Sequence, residues 1–192
     1  RGEFLGEFLG EDRILVITRN AEYQLTTFDA TNHYDHFDLL KLEKFRPGHI
    51  WTAVLFDADQ GYYYIKRFTF EPVSKLQSFI GDNPKSRLVL LTDTPGARFR
   101  VTFGGADSHR EPIEIDATDF IAVKSVKAKG KRITNFTFGS VEEIDPRPDA
   151  EPDAETDAPD TPSPDDSPDE SSEPEMSDEE LRDSIIGQER LF

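Results

Sequence analysis

The stretch KSVKAKGKR carries Lys124, Lys127, Lys129, Lys131 and Arg132 around a candidate turn. Lys127, Lys129 and Lys131 are spaced by two, so in an extended chain their ammonium groups point the same way. A turn tip with that many cations can sit against phosphates; each neutralised phosphate releases counterions, which makes binding salt-dependent. Arg98 and Arg100 flank Phe99, so burying the ring presents both guanidinium groups on one face. Lys66 and Arg67 are expected to add to the same cationic surface. The competing reading is that these are solvated cations guarding edge strands against aggregation.

Other candidate chemistry is sparse. The segment NHYDHFD brings His33, Asp35, His36 and Asp38 close together, which could ligate a metal or be a polar loop between strands. No metal site and no catalytic residue is assigned. There is no G-x-S-x-G and no G-x-G-x-x-G, and Gly130-Lys131 lacks the earlier glycine of a phosphate-binding loop because position 125 is serine. The NFT at 135–137 matches a glycosylation acceptor but has no secretory context.

The chain ends GQERLF, two large apolar residues beyond a solvated segment. Gln188, Leu191 and Phe192 fit the Gln-x-x-Leu-Phe pattern by which bacterial replication and repair proteins resemble one another in docking to the sliding clamp. Two apolar anchors on a flexible leash are the physical content of such a motif. The alternative is a peptide that folds back on its own domain.

Charge divides the chain sharply. Residues 1–140 carry 19 acidic and 19 basic side chains, whereas residues 141–192 carry 20 acidic ones against Arg147, Arg182 and Arg190, so the whole net charge of −17 lies in the tail. Residues 145–176 are almost entirely Pro, Asp, Glu, Ser, Ala and Thr, too poor in apolar surface to offset their ordering entropy, and are expected to be disordered. Order-forming potential returns over 177–192, where Ser177 and Glu180 form a capping-box pattern and Gly187 is a stop signal. A helix that short is marginal without a partner. A tethered tail of this charge can compete with DNA phosphate for the lysines, or it can simply keep the chain soluble.

Residues 1–144 hold all five tyrosines, Trp51 and every phenylalanine except Phe192, ample for a core. No cysteine occurs, which fits a reducing, cytoplasmic setting, and no membrane span is visible. The first residue, Arg1, suggests a piece of a longer chain. The opening RGEFLGEFLG repeats GEFL, as a native duplication or as an added leader.

The elements that must position the cations read as strands. Residues 13–28, 87–103 and 120–136 share a plan: a β-branched run, a polar or glycine turn, and a second strand ending near phenylalanine. Residues 52–70 are a looser copy turning at Asp57 to Gly61. Further strands are expected at 37–45, 49–56 and 112–116, and a short helix at 74–81. Hairpins without intervening helices imply an all-β fold, and repeated four-stranded units imply propeller-like blades, two or three of them, too few to close a ring.

That plan, above all DFIAVKSVKAKGKRITNFTFGSVEEID at 119–145, resembles the C-terminal region of the A subunit of bacterial type IIA topoisomerases, DNA gyrase and topoisomerase IV. EDRILVITRNAEYQLTTFD at 11–29 and HIWTAVLFDADQGYYYIKRFTF at 49–70 are similar to the strand pairs that build that family's blades. The resemblance implies a partial β-pinwheel, non-catalytic by itself, whose basic rim binds duplex DNA for strand passage by the whole enzyme. It implies as partners the upstream catalytic core of the same A subunit and the ATPase B subunit, and Mg2+ and ATP as cofactors of the parent enzyme. The Gln-, Arg- and Gly-rich box of strongly wrapping gyrases is not in this sequence, so the implied role is closer to topoisomerase IV. The rival expectation is a protein-interaction or single-stranded-DNA-binding module with an acidic tail, which requires aromatic residues exposed for base stacking.

Overall fold

The β-branched run ILVIT and the alternating EYQLT form the first hairpin in the computed structural model, which describes residues 5–148 apart from residues 30 and 36. The strands β1 (Ile14–Thr18) and β2 (Glu22–Thr26) pair antiparallel across a turn in which Ala21 takes a positive φ of 59°. On the other side of β1 lies β3 (Leu39–Lys44). Next come β4 (Ile50–Asp57) and β5 (Tyr62–Thr69), paired in unbroken register from Ile50↔Thr69 to Asp57↔Tyr62. The two-residue β6 (Gln77–Ser78) closes the first sheet, whose order is β3-β1-β2-β6.

Beyond β6 the chain forms β7 (Arg87–Thr92), β8 (Arg98–Phe103), β9 (Ile113–Asp116) and one helical turn, α1 (Ala117–Phe120). Asp116 caps that turn by accepting from the backbone N–H groups of Thr118 and Asp119. Then follow β10 (Val123–Lys124), β11 (Lys131–Arg132) and β12 (Phe138–Ile144). The second sheet runs β10-β5-β4-β7 with β11 also on β5, and the third runs β12-β8-β9. The described residues are therefore all-β, in sheets that do not close into a barrel.

Alternation along the central strands explains how the sheets stack. Trp51 and Ala53 of β4 and Phe68 of β5 face a core shared with Leu15, Ile17, Tyr23 and Phe79. Val54 and Ile65, one residue out of phase, face a second core with Phe99, Val101, Ile115 and Ile133. A sheet covered on both faces needs near-continuous apolar strands, and Ile50–Asp57 is buried at every position but one. Tyr23 and Phe70, with ring centroids 4.5 Å apart, and Trp51 edge-on to Phe70 at 5.7 Å fill the first core.

Three expectations need correction. Residues 74–81 are not a helix: Gln77 and Ser78 pair with Tyr23 and Glu22, and Phe79, 2% exposed, anchors the segment in the first core. Residues 87–103 are not a hairpin either. Thr52 to Phe56 of β4 hold β7, while β8 crosses to the third sheet, where Phe99 and Val101 reach the second core. Nor are residues 120–136. Both β10 and β11 lie against β5, the first parallel and the second antiparallel. Val126 enters one core and Ile133 the other, so the chain straddles the sheet edge, which an isolated hairpin cannot do. The looser copy at 52–70 is, by contrast, the most regular hairpin among the described residues.

The fold continues past β12, where Arg147 N–H donates to Gly96 O at 3.2 Å and its guanidinium pairs with Asp116 at 2.8 Å and with Asp119. The expectations for the acidic stretch beyond Pro148, the capped helix and the terminal Gln188, Leu191 and Phe192 fall outside the described residues.

Candidate nucleic-acid interface

The basic segment covers the edge of β5 that lies away from β4. Val123 and Lys124 pair with Arg67 and Phe68, and Lys131 and Arg132 with Ile65 and Tyr64. Between them the chain turns outward at 125–130, with Ala128 N–H donating to Ser125 O at 2.9 Å and Lys127 N–H to Ser125 Oγ at 3.2 Å. Three devices pin this turn. Val126 is 1% exposed in the first core. Lys66 Nζ donates to Val126 O at 2.6 Å and to Phe79 O at 2.7 Å. Gly130 takes a φ of 100° and passes so close to β5 that a Cβ there would stand 2.5 Å from Ile65 O.

The cations on this segment divide by environment, and because the turn is not extended, Lys127, Lys129 and Lys131 do not form one row. Lys129 Nζ stands 2.6 Å from the otherwise unpaired, buried Asp57 Oδ2. Burial pushes the Asp57 carboxyl up, but the Lys129 ammonium together with the backbone N–H groups of Asp59 and Gln60 outweighs it and holds the group below its ordinary value. Lys131 Nζ donates to Phe120 O at 3.2 Å and lies 4.5 Å from the Phe120 ring centroid. Arg132 covers Tyr62 at 4.5 Å. Lys124 and Lys127 are exposed and make no side-chain ion pair among the described residues. Among the described residues, Lys124, Lys127, Lys131 and Arg132 thus keep a positive charge with no carboxylate partner along one sheet edge.

The other expected cations behave differently. Lys66 and Arg67 do not add to the surface: they are 2% and 5% exposed, because β5 is central and both its faces and its edge are covered. Burial pushes the Lys66 ammonium down to about 8. Arg67 Nη1 points at Ile121 O, 3.4 Å away. Arg98 and Arg100 do share a face over the fully buried Phe99. Glu114 and Glu142 stand directly across from Arg100 on the neighbouring strands, and Arg100 pairs with them at 3.0 and 3.2 Å while Arg98 takes Glu114 at 2.6 Å. This is a cross-strand ladder in which two arginines meet two glutamates.

Asp35 and Asp38 are used locally, Asp35 Oδ1 accepting from Phe37 N–H at 3.0 Å and Asp38 Oδ1 from Asn20 Nδ2 at 3.3 Å, while His33 is exposed. No cluster of three His, Asp or Glu side chains among the described residues is arranged to hold a metal, and His36 lies outside them.

A feature not anticipated from the sequence lies at the end of the same edge. Tyr62 and Phe136, 36% and 44% exposed, line a groove of about 330 Å3 between the β4–β5 turn and residues 134–138. Its wall is the stacked pair Tyr63 and Phe138, with centroids 3.7 Å apart. Arg110 sits 3.5 Å from the Phe136 centroid and is aimed there by Asp107, which also accepts from Thr137 N–H at 2.8 Å. Those two donors hold the Asp107 carboxyl down to about 2. Arg87 donates to Tyr63 Oη at 2.6 Å and covers Phe56 at 4.7 Å. The signal was present in GYYY and NFTF, two aromatic clusters beside turns, but their meeting depends on β11 lying against β5.

The class defined here is an all-β domain of antiparallel sheets that carries a pinned cationic edge and an arginine-covered aromatic groove. Residues 1–145 match the family described as topoisomerase C-terminal domain, Bacteroidota, and the chain belongs to that family. Among curated proteins none matches it. No helix among the described residues is long and apolar enough to cross a membrane.

Proposed function

We propose that this domain holds duplex DNA for a type IIA topoisomerase, as the C-terminal part of the A subunit of topoisomerase IV or gyrase. The observation that carries the reading is the edge at 123–132, where Lys124, Lys127, Lys131 and Arg132 lack carboxylate partners among the described residues and the strands on both sides of a pinned turn are fixed to β5. Prepositioned cations bind phosphate without first being ordered, and each phosphate contact releases counterions. The domain guides DNA; cleavage, ATP hydrolysis and the Mg2+ and ATP they use belong to the catalytic core and the B subunit. Such an enzyme works on chromosomal DNA in the cytoplasm.

The tail has two roles in this reading. Its net charge of −17 competes with DNA for the edge lysines. Its end, Gln188, Leu191 and Phe192, offers a docking peptide to the sliding clamp. One comparison tests both: the full chain against the same chain lacking residues 149–192, which spares the Arg147 contacts, each titrated with duplex DNA and with purified clamp. Truncation is expected to tighten duplex binding at moderate salt and to abolish clamp binding. Equal duplex affinity sinks the competition, and retained clamp binding sinks the docking peptide.

A further inference from the structure

The groove between Tyr62 and Phe136 is not explained by duplex binding, because a paired helix presents phosphates and base edges but no exposed base faces. We infer that this groove is a stacking site for an unpaired base of a DNA strand, whose flanking phosphates are taken by Arg132 and Arg87. The inference rests on the reading that the domain contacts DNA, and adds to it a second site with a different ligand state.

Three observations support it. Each exposed ring already carries a guanidinium, Arg132 at 4.5 Å from Tyr62 and Arg110 at 3.5 Å from Phe136. A ring stabilised in this way is held in one orientation and presents a flat surface to the groove. The space of about 330 Å3 admits a nucleobase or two stacked ones. Arg132 and Arg87 have no carboxylate partner among the described residues, unlike Arg98 and Arg100, so their charge is available to phosphate.

The groove also adjoins the pinned edge. Arg132 belongs to β11 and is the last of the cations that run from Lys124. Aromatic platforms beside a basic track are the general physical form of single-strand recognition, tolerant of sequence because every base has a π face.

The test compares the full chain on a fully paired duplex and on the same duplex carrying a short central run of unpaired thymines. The unpaired DNA is expected to bind roughly tenfold tighter or more, the effect of one stacked base. Tyr62→Leu and Phe136→Leu, which keep apolar bulk and spare the fold, should remove that preference and leave duplex affinity unchanged; Tyr62→Trp should restore it. Equal affinity for the two DNAs, or a preference that survives both leucine variants, overturns the stacking site while leaving duplex binding intact. Binding to the unpaired DNA alone supports the groove and refutes the proposed duplex edge, and binding to neither refutes both.

Discussion

A buried ammonium is tolerated only where its protons are used. Lys66 is 2% exposed, yet its Nζ meets two backbone carbonyls, at 2.6 and 2.7 Å, and lies 4.7 Å from the Phe68 ring centroid. Those carbonyls belong to Val126 and Phe79, so one side chain ties the basic turn and the segment after β6 to the central sheet. Lys66→Met keeps the apolar stem and leaves both carbonyls without a donor, at a cost of about 3 kcal/mol. Burial takes the folded-state value from 10.5 to about 8, so between those values the unfolded chain holds a proton that the folded chain has released. Unfolding is then opposed more strongly as pH rises through that window, and the contribution of Lys66 grows with pH. Denaturant midpoints of parent and Lys66→Met should therefore diverge on going from neutral to alkaline buffer; a gap that stays constant or narrows contradicts this account. The sequence marked Lys66 as cationic but not as interior, since YYYIKRF reads equally well as a strand whose two cations reach solvent. Only the second sheet's coverage on both faces decides it, and that depends on contacts remote in sequence.

The basic turn is an element whose shape is set by its neighbours rather than by its own pattern. Its residues read as a hairpin because Lys129-Gly130 is a good reversal between β-branched runs. The glycine has a different use: it lets the chain pass over Ile65 O with φ at 100°. Gly130→Ala places a Cβ 2.5 Å from that oxygen in a left-handed conformation, and is expected to cost about 3 kcal/mol and to lower the melting temperature by several degrees. A variant that melts with the parent contradicts the pinned turn. The same logic separates what was legible from what was not. The hairpins at 13–28 and 52–70 were readable because turn and strands are contiguous and pair with each other. At 87–103 and 120–136 the strand signals were equally clear, but their partners, β4 and β5 or β9 and β12, come from elsewhere in the chain. Local pattern finds strands; the choice of partner is made by which core each apolar residue fills.

At the scale of the molecule, charge is distributed unevenly between the sheets. The arginines of the third sheet are matched to Glu114 and Glu142, an exposed ladder worth little energetically but effective at cancelling field. On the edge of the second sheet Lys124, Lys127, Lys131 and Arg132 have no carboxylate partner among the described residues, while the whole net charge of −17 lies in residues 141–192. The candidate cations were nearly all visible as sequence, but which of them remain available was not, because Lys129 meets Asp57 and Arg100 meets Glu142 across long separations. The most direct measurement is the salt dependence of duplex binding by the full chain, in the parent and in a Lys124→Gln, Lys127→Gln, Lys131→Gln variant. With about 0.9 counterions released per phosphate contact, the slope of log affinity against log salt should fall in magnitude by about 3 in the variant. An Arg98→Gln, Arg100→Gln variant should retain the parent slope. A slope unchanged by the lysine replacements, or one that collapses only when the arginine ladder is removed, contradicts the assignment of DNA to the 123–132 edge.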